Sequence, residues 1–90
     1  MAWKVEFDSA ADRDLKKVDP QQKRRILKYL DEKIETDGDP RRFGDPLSRN
    51  LTGLWKYRIG DYRVICEIQE EKVVVLVLRV GHRSKVYGGH

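Results

Sequence analysis

The sequence is poor in the features that mark secreted, membrane-spanning or metal-binding proteins. Its 90 residues include one cysteine, Cys66, so no disulfide framework can form, and such cysteine usage is typical of a reducing compartment. No apolar run approaches the ~18 residues that span a bilayer, and no basic-then-apolar leader opens the chain. Cys66, His82 and His90 do not have metal-ligand spacing. We therefore expect a soluble, cytoplasmic protein that has no metal or other cofactor and no membrane contact.

Positive charge exceeds negative charge only modestly, and its distribution is more informative than its amount. Lys and Arg total 19 against 15 Asp and Glu, which gives a net charge of +4 and a pI of about 9.3. Acidic residues concentrate in the first half, whereas the tail carries Arg79, His82, Arg83 and Lys85. Ninety residues suffice for one domain, 1–90. A basic face on a small domain favours nucleic acid or an acidic protein as partner.

The stretch from residue 54 to residue 68 predicts a β-hairpin. Two alternating runs flank Gly60-Asp61, a pair suited to the positive backbone dihedral of a tight primed turn. A two-residue turn here sets Ile59 opposite Tyr62 and Arg58 opposite Arg63, and directly opposite residues share one face of a sheet. The core face then carries Trp55, Tyr57, Ile59, Tyr62, Val64, Cys66 and Ile68, and the other face carries Lys56, Arg58 and Arg63.

The cations on that second face oppose strand pairing. Two unit charges 5 Å apart repel by on the order of 3 kcal/mol at an effective dielectric of 20, although solvent screens exposed side chains. A bound anion would remove this repulsion. We therefore interpret Lys56, Arg58 and Arg63 as an anion site, the alternative being an ordinary solvated face.

The patterns before the hairpin predict one strand and two helices. Alternation from Ala2 to Phe7 is typical of a half-buried strand. Ser9 and Asp12 begin a short helix in the manner of a capping box. Asp19-Pro20 starts a second helix, which runs to Thr36, because Asp is a good N-cap and Pro suits the first helical position.

The remaining patterns predict a loop and a buried strand. Residues 37–52 are rich in Asp, Gly, Pro, Arg and Ser, and we expect a loop with one structured turn near Pro46-Leu47. Val73 to Val80 is apolar at consecutive positions, so this strand is covered on both faces and lies inside the sheet. The predicted fold is α+β, with an N-terminal strand, an antiparallel helix hairpin and a three-stranded antiparallel meander forming one twisted sheet with helices on one face.

Cations outside the hairpin are further candidates for contact with a nucleic-acid backbone. Three arginines lie in the predicted loop and one lysine in the tail. Loops of this composition are usually just solvated, which is the alternative for the three arginines. The candidates are Arg41, Arg42, Arg49 and Lys85.

The order of the elements and a set of spaced residues resemble the RelE/ParE superfamily of type II toxins. The set is Lys56-x-Arg58 before Gly60-x-Tyr62-Arg63, followed by Val80-Gly81-His82-Arg83 before Tyr87. The RelE branch consists of ribosome-dependent mRNA interferases that cleave the codon in the A site, and the ParE branch inhibits DNA gyrase. The resemblance implies the first activity. Its alternatives are a ParE-like gyrase inhibitor without catalysis and a binding module that has lost activity.

The resemblance also implies which side chains form the cleavage centre. Arg58 is a departure, because RelE has lysine at the matching position, and His82 is another for the same reason. The implied catalytic residues are Lys56, Arg58, Arg63, His82, Arg83 and Tyr87.

Metal-independent RNA cleavage of this kind uses the 2′-hydroxyl of the substrate as nucleophile. Arg63 and Arg83 suit the phosphorane oxygens, to which they can offer paired N–H donors. Arg58 cannot be the base, since a guanidinium stays protonated. Lys56, whose neutral form neighbouring cations favour, and His82 both remain candidates for the base. Tyr87 would stack on a nucleobase or orient the 2′-hydroxyl.

The resemblance implies two kinds of partner. One is the ribosome with its mRNA, which would supply codon positioning, so that free RNA is cut poorly. The other is a cognate RelB-like antitoxin, acidic and partly disordered when free, which folds onto the toxin. A net charge of +4 suits such a partner.

Overall fold

One mixed five-stranded sheet organises the chain, with two helices packed on one of its faces. The computed structural model describes residues 2–47 and 53–83. Strand order is β1-β5-β4-β3-β2, with β1 parallel to β5 and every other pair antiparallel. The predicted α+β architecture is thereby confirmed. The elements are β1 (Lys4–Phe7), α1 (Ser9–Lys16), α2 (Pro20–Tyr29), β2 (Asp45–Pro46), β3 (Leu54–Ile59), β4 (Tyr62–Gln69) and β5 (Val74–His82).

Both helices begin at an aspartate that caps them. The Asp19 carboxylate accepts from the backbone N–H groups of Gln21 and Gln22 at 3.0 and 3.4 Å, as predicted from Asp19-Pro20. The predicted cap of α1 was wrong by one residue. Asp8, not Ser9, accepts from the backbone N–H of Ala10 at 3.1 Å, because the chain is still extended at Asp8 and already helical at Ser9.

The second helix changes its winding before its predicted end at Thr36. The α-helix stops at Tyr29 and continues as one π-helical turn, Leu30–Ile34, in which the N–H of Glu35 donates to the carbonyl of Leu30 at 2.9 Å. The wider turn buries both Leu30 and Ile34 in the core. The helical interpretation holds for most of this stretch, and packing decides the type of helix.

The predicted loop contains more structure than its composition suggests, and in a different place. A 3-10 turn spans Pro40–Phe43, and β2 then pairs with β3 as an edge strand that sets Asp45 opposite Lys56. The hydroxyl of the buried Tyr57 donates to the carbonyl of Pro40 at 2.9 Å. Where a turn was expected near Pro46-Leu47, the chain forms a short strand. The sequence of this stretch did not indicate a strand, because the strand depends on pairing with β3.

The last strand lies inside the sheet, as predicted from its continuous apolar run. β5 is bordered by β1 and β4, and it begins one residue late because Val73 adopts a left-handed turn with φ 55°. A β-bulge interrupts its pairing with β4, since Ile65 lies opposite Arg79 whereas Cys66 lies opposite Val77. Across residues 2–47 and 53–83, no helix is long and apolar enough to cross a membrane.

Candidate active site

The predicted hairpin register is confirmed, and it gathers cations on the sheet face away from the helices. Arg58 lies directly opposite Arg63, and Lys56 lies opposite Ile65. The turn glycine, Gly60, has a positive φ of 61°. Tyr57 and Val64, which alternate with these residues, are fully buried under the helices. We call the set Lys56, Arg58 and Arg63 the cation face.

The hairpin turn fixes the guanidinium of Arg63. Its Nη1 donates to the carbonyl oxygens of Gly60 at 3.1 Å and Tyr62 at 2.9 Å. These two acceptors, one in the hairpin turn and one directly after it, hold one side of the planar guanidinium group. Its other N–H groups are thus presented in a defined direction for an anion.

The end of β5 brings Arg83 beside the same turn. The backbone N–H of Arg83 donates to the carbonyl of Asp61 at 2.8 Å, and Gly81 lies directly opposite Arg63. Arg83 is exposed. The backbone of Arg83 therefore lies beside the hairpin turn that carries the cation face, although Arg83 is twenty positions further along the chain than Arg63.

His82, by contrast, lies on the opposite face of the sheet. It pairs with Tyr62, and the two rings meet edge to face with centroids 5.7 Å apart and an interplanar angle of 82°. The bulge explains this position, because the unpaired Leu78 reverses the alternation of β5. The two residues predicted as alternative bases are thus separated by the sheet, and only Lys56 shares a face with Arg63.

The loop arginines predicted to bind RNA are engaged elsewhere. Arg41 forms ion pairs with Asp39 at 3.0 Å and with Glu70, and Glu70 follows the end of β4 remote from Arg63. The guanidinium of Arg42 covers the Phe43 ring with its Cζ 5.1 Å from the centroid. Neither joins the cation face. The predicted residues Arg49, Lys85 and Tyr87 lie outside the described residues.

Two residues near the cation face had no signal in the sequence. Arg25 of α2 reaches the hairpin turn, where its Nη1 would lie 2.7 Å from a Cβ placed on Gly60. Asp45 of β2 lies opposite Lys56. Asp45 falls in the predicted loop, and no pattern in the sequence distinguishes Arg25 from the other charged residues of its helix. Their positions depend on contacts between segments remote in the chain.

The cation face is suited to a phosphodiester and not to a metal ion. Guanidinium groups offer paired donors to phosphate oxygens, and low solvation at a bound phosphate strengthens each contact. Among the residues that the structure describes, no group of three or more His, Cys, Asp or Glu side chains could hold a metal ion.

This fold is similar to that of known toxins. A crystal structure of the toxin-antitoxin complex RelBE2 from Mycobacterium tuberculosis contains a chain that matches with a TM-score of 0.82 and 33% identity, covering 94% of this chain and 95% of that one. The chain belongs to the family of ParE toxins of type II toxin-antitoxin systems, whose sequence model matches residues 5–87.

Two curated relatives extend the comparison to individual toxins. The chain is 39% identical over 89 residues to the toxin RelG of Mycobacterium tuberculosis, covering 97% of this chain and 98% of RelG. It is 32% identical over 91 residues to the mRNA interferase toxin RelE of Escherichia coli, covering 97% and 92%. The predicted membership in the RelE/ParE superfamily is confirmed.

Proposed function

We propose that this toxin is a ribosome-dependent mRNA endoribonuclease that cleaves mRNA in the A site and so inhibits translation. The observation that carries the proposal is the cation face, where like charges are held together at a cost to folding and continued by Arg83. Its similarity to the mRNA interferase toxin RelE supports the same activity.

The cleavage step needs a base, a charge stabiliser and an acid. The 2′-oxygen of the substrate bonds to phosphorus as its proton passes to the neutral amine of Lys56, and the bond from phosphorus to the 5′-oxygen breaks as that oxygen takes up a proton from water. The products are a 2′,3′-cyclic phosphate and a 5′-hydroxyl. Arg63 and Arg83 stabilise the phosphorane oxygens, Arg58 adds positive charge beside them, and Tyr87 stacks on a nucleobase.

Geometry favours Lys56 over His82 as the group that removes the 2′-proton. Lys56 is two pairs along the ladder from the Arg58–Arg63 pair, which makes it the next residue of β3 on the same face, whereas His82 lies on the helix-covered face against Tyr62. A base must lie within hydrogen-bond reach of the proton that it removes. His82 supports the end of the site from behind the sheet.

The partners follow from the same proposal. A ribosomal substrate implies action in the cytoplasm. The chain of similar fold in the RelBE2 complex comes from a toxin-antitoxin assembly, and we propose that this toxin likewise binds a cognate antitoxin. An acidic segment of that RelB-like partner, disordered when free, would cover the cations and inhibit cleavage.

The test is a cleavage assay on ribosomes programmed with a defined codon in the A site. The wild type should yield fragments with 2′,3′-cyclic phosphate and 5′-hydroxyl ends. Arg83→Ala and Lys56→Met should each lower the single-turnover rate by 100-fold or more, whereas Lys4→Met, which removes an exposed strand lysine, should leave it within twofold. His82→Gln should retain the pH dependence of the wild type if Lys56 is the base.

Each alternative has its own outcome in that assay and in a parallel DNA cleavage assay with gyrase. DNA breaks that require gyrase, with intact mRNA, would favour the ParE-like inhibitor. If neither mRNA nor DNA is cut, the chain acts as a binding module only. If His82→Gln abolishes the pH dependence and Lys56→Met does not, the base is assigned wrongly although the nuclease stands.

A further inference from the structure

A cleft of about 750 Å³ adjoins the cation face along β5. Its walls combine apolar side chains with two cations from different elements. Two of its lining residues are direct neighbours of the cation face, since Ile65 lies opposite Lys56 and Gly81 lies opposite Arg63. The cleft passes round the end of the sheet, because its lining comes from both faces. Ile65, Arg79 and Gly81 lie on the side of the cation face, whereas Tyr62, Val80 and His82 lie on the helix-covered side.

Arg79 is held in this cleft by Asp14 of α1. Its Nε and Nη2 donate to the two carboxylate oxygens of Asp14 at 2.8 and 3.3 Å. The backbone N–H of Val80 donates to the same carboxylate at 2.9 Å. One carboxylate thus accepts from a backbone N–H at the edge of β5 and fixes the Arg79 guanidinium through two of its nitrogens.

Burial differs sharply between these partners. The Asp14 side chain is 15% exposed and that of Arg79 is 64% exposed. Within the described part of the chain, Nη1 of Arg79 makes no hydrogen bond. The carboxylate of Asp14 therefore makes its contacts within the protein, while the outer edge of the Arg79 guanidinium faces the cleft and solvent.

The register sets the distance from Arg79 to the proposed cleavage centre. Lys56, Ile65 and Arg79 form one row across three strands on the same sheet face. Two strand spacings separate the ends of the row, which is about 9.5 Å between backbones. A single RNA strand that has its scissile phosphate at the cation face can therefore place the next nucleotide over Ile65.

We propose that this cleft is a subsite for the nucleotide next to the scissile phosphate. The base of that nucleotide lies on the apolar side chains of the lining, and its outer phosphate lies on Arg79, which Asp14 orients. This deepens the proposed function and rests on it. Bidentate contact between guanidinium and phosphate oxygens is strong and directional, and apolar side chains accept the face of any base.

RNA fits the cleft better than an acidic peptide segment does. The cleft reaches the side of the cation face at Ile65, Arg79 and Gly81, so one polymer with regularly spaced phosphates can meet both. Its lining combines apolar side chains with the cations Lys17 and Arg79, which suits a base together with a phosphate. A peptide carboxylate would pair with Arg79 but would leave the apolar side chains of the lining without a contact.

The experiment pairs Arg79→Gln with neutral phosphates in the RNA. Ribosomes are programmed with mRNA that carries a 2′-O-methyl group at the scissile nucleotide, which blocks attack, and toxin affinity is measured by fluorescence. Methylphosphonate replaces one flanking phosphate at a time on either side. Arg13→Gln, which removes an exposed arginine of the same helix as Asp14, is the matched control.

Arg79→Gln should weaken binding about tenfold, the loss of one charge-assisted contact, whereas Arg13→Gln should change it less than twofold. At one flanking linkage, methylphosphonate should weaken RNA binding by the wild type about tenfold. The same replacement should not weaken binding by the Arg79→Gln variant any further. Asp14→Asn should give an intermediate loss, because its amide oxygen still accepts from Val80 but no longer fixes Arg79. Arg79→Lys should recover only part of the affinity.

Three results would overturn the subsite. The first is additivity of Arg79→Gln with methylphosphonate at every linkage, and the second is an equal loss in Arg13→Gln. The third is a variant that keeps its RNA affinity but loses antitoxin affinity, which would assign the cleft to the protein partner. If the wild type does not cleave programmed mRNA, the proposed function fails, and the binding cycle still reports on the cleft.

Discussion

Arg58 and Arg63 lie directly opposite each other at the hairpin end of β3 and β4. Opposed like charges destabilise a strand pair, yet the turn carbonyls of Gly60 and Tyr62 hold Arg63 in this position. The arrangement is thus maintained by local hydrogen bonds against electrostatic repulsion. Its explanation lies in the anion that we propose binds there.

Replacing Arg58 should separate stability from activity. We expect Arg58→Thr to raise the free energy of unfolding by up to about 1 kcal/mol at low salt, because repulsion across the pair is removed, and to lower the cleavage rate by about 100-fold. Urea denaturation and the ribosome assay measure the two effects. The gain should shrink in 1 M salt. Lys4→Thr on β1, whose residue 4 pairs with Val74, is the control, and a less stable Arg58→Thr at low salt would contradict the repulsion.

Two glycines with positive φ distinguish backbone strain from crowding. Gly60 and Gly53 have φ of 61° and 88°, so alanine at either should cost about 1–2 kcal/mol of stability. Only at Gly60 would a Cβ meet Arg25, and the end of that flexible side chain can move. We expect similar losses in urea denaturation but a changed Arg25 Nε–H NMR resonance in Gly60→Ala alone. A far larger loss in Gly60→Ala would mean that Arg25 is fixed.

Acid should weaken the link between α1 and β5. Burial of Asp14 acts to raise its pKa, but hydrogen bonds from Arg79 and Val80 and the charges of Arg79 and Lys17 outweigh it, so the pKa of Asp14 lies below its ordinary value of 3.8. A lowered folded-state pKa gives stability that is present above the unfolded pKa and lost as pH falls through the folded one.

Asp14→Asn tests that linkage. At pH 6 it should reduce the free energy of unfolding by about 1 kcal/mol relative to the wild type, since one exposed partner limits the gain. The difference should shrink as pH falls below about 4. Urea denaturation at several pH values measures it, with Asp12→Asn as a control from the exposed side of the same helix. A difference that stays constant down to pH 2 would contradict the assigned charge contact.

Cys66 should be chemically silent in the folded protein. Burial raises the pKa of its thiol to about 12, and the S–H group donates to the carbonyl of Trp55 at 3.7 Å. At pH 8 only about one thiol in ten thousand is then ionised, and thiolate is the reactive form. We expect no alkylation by iodoacetamide in native buffer and complete alkylation in 8 M urea, read by mass spectrometry. Rapid labelling without urea would contradict the burial.

The hairpin was predictable because its information is local. A two-residue turn and a period of two determine which residues face each other, and so Lys56, Arg58 and Arg63 could be assigned to one face before any coordinates. Asp19-Pro20 started α2 for an equally local reason. The buried position of β5 followed from its apolar run. The resemblance to RelE/ParE toxins added Arg83, which no local pattern connects to the hairpin.

The site beyond the hairpin was not predictable in the same way. β5 is apolar on both faces, so its sequence gives no alternation from which to assign His82 or Arg79 to a face. The single bulge at Leu78 decides that assignment, and it sets Arg79 on the side of Lys56 and His82 on the other. A bulge depends on how two strands pair, and a run that is apolar at almost every position gives no sequence signal for it.

The chain alone determined the order of the helices and of every strand except β2, together with the hairpin register and the gathering of like charges, because each depends on neighbours a few residues apart. Tertiary structure alone decided which charges remain available to a ligand. Glu70 pairs with Arg41 across 29 residues and Asp14 with Arg79 across 65. Pairings at such separations exist only once packing has brought the segments together, since charge type without position does not select a partner.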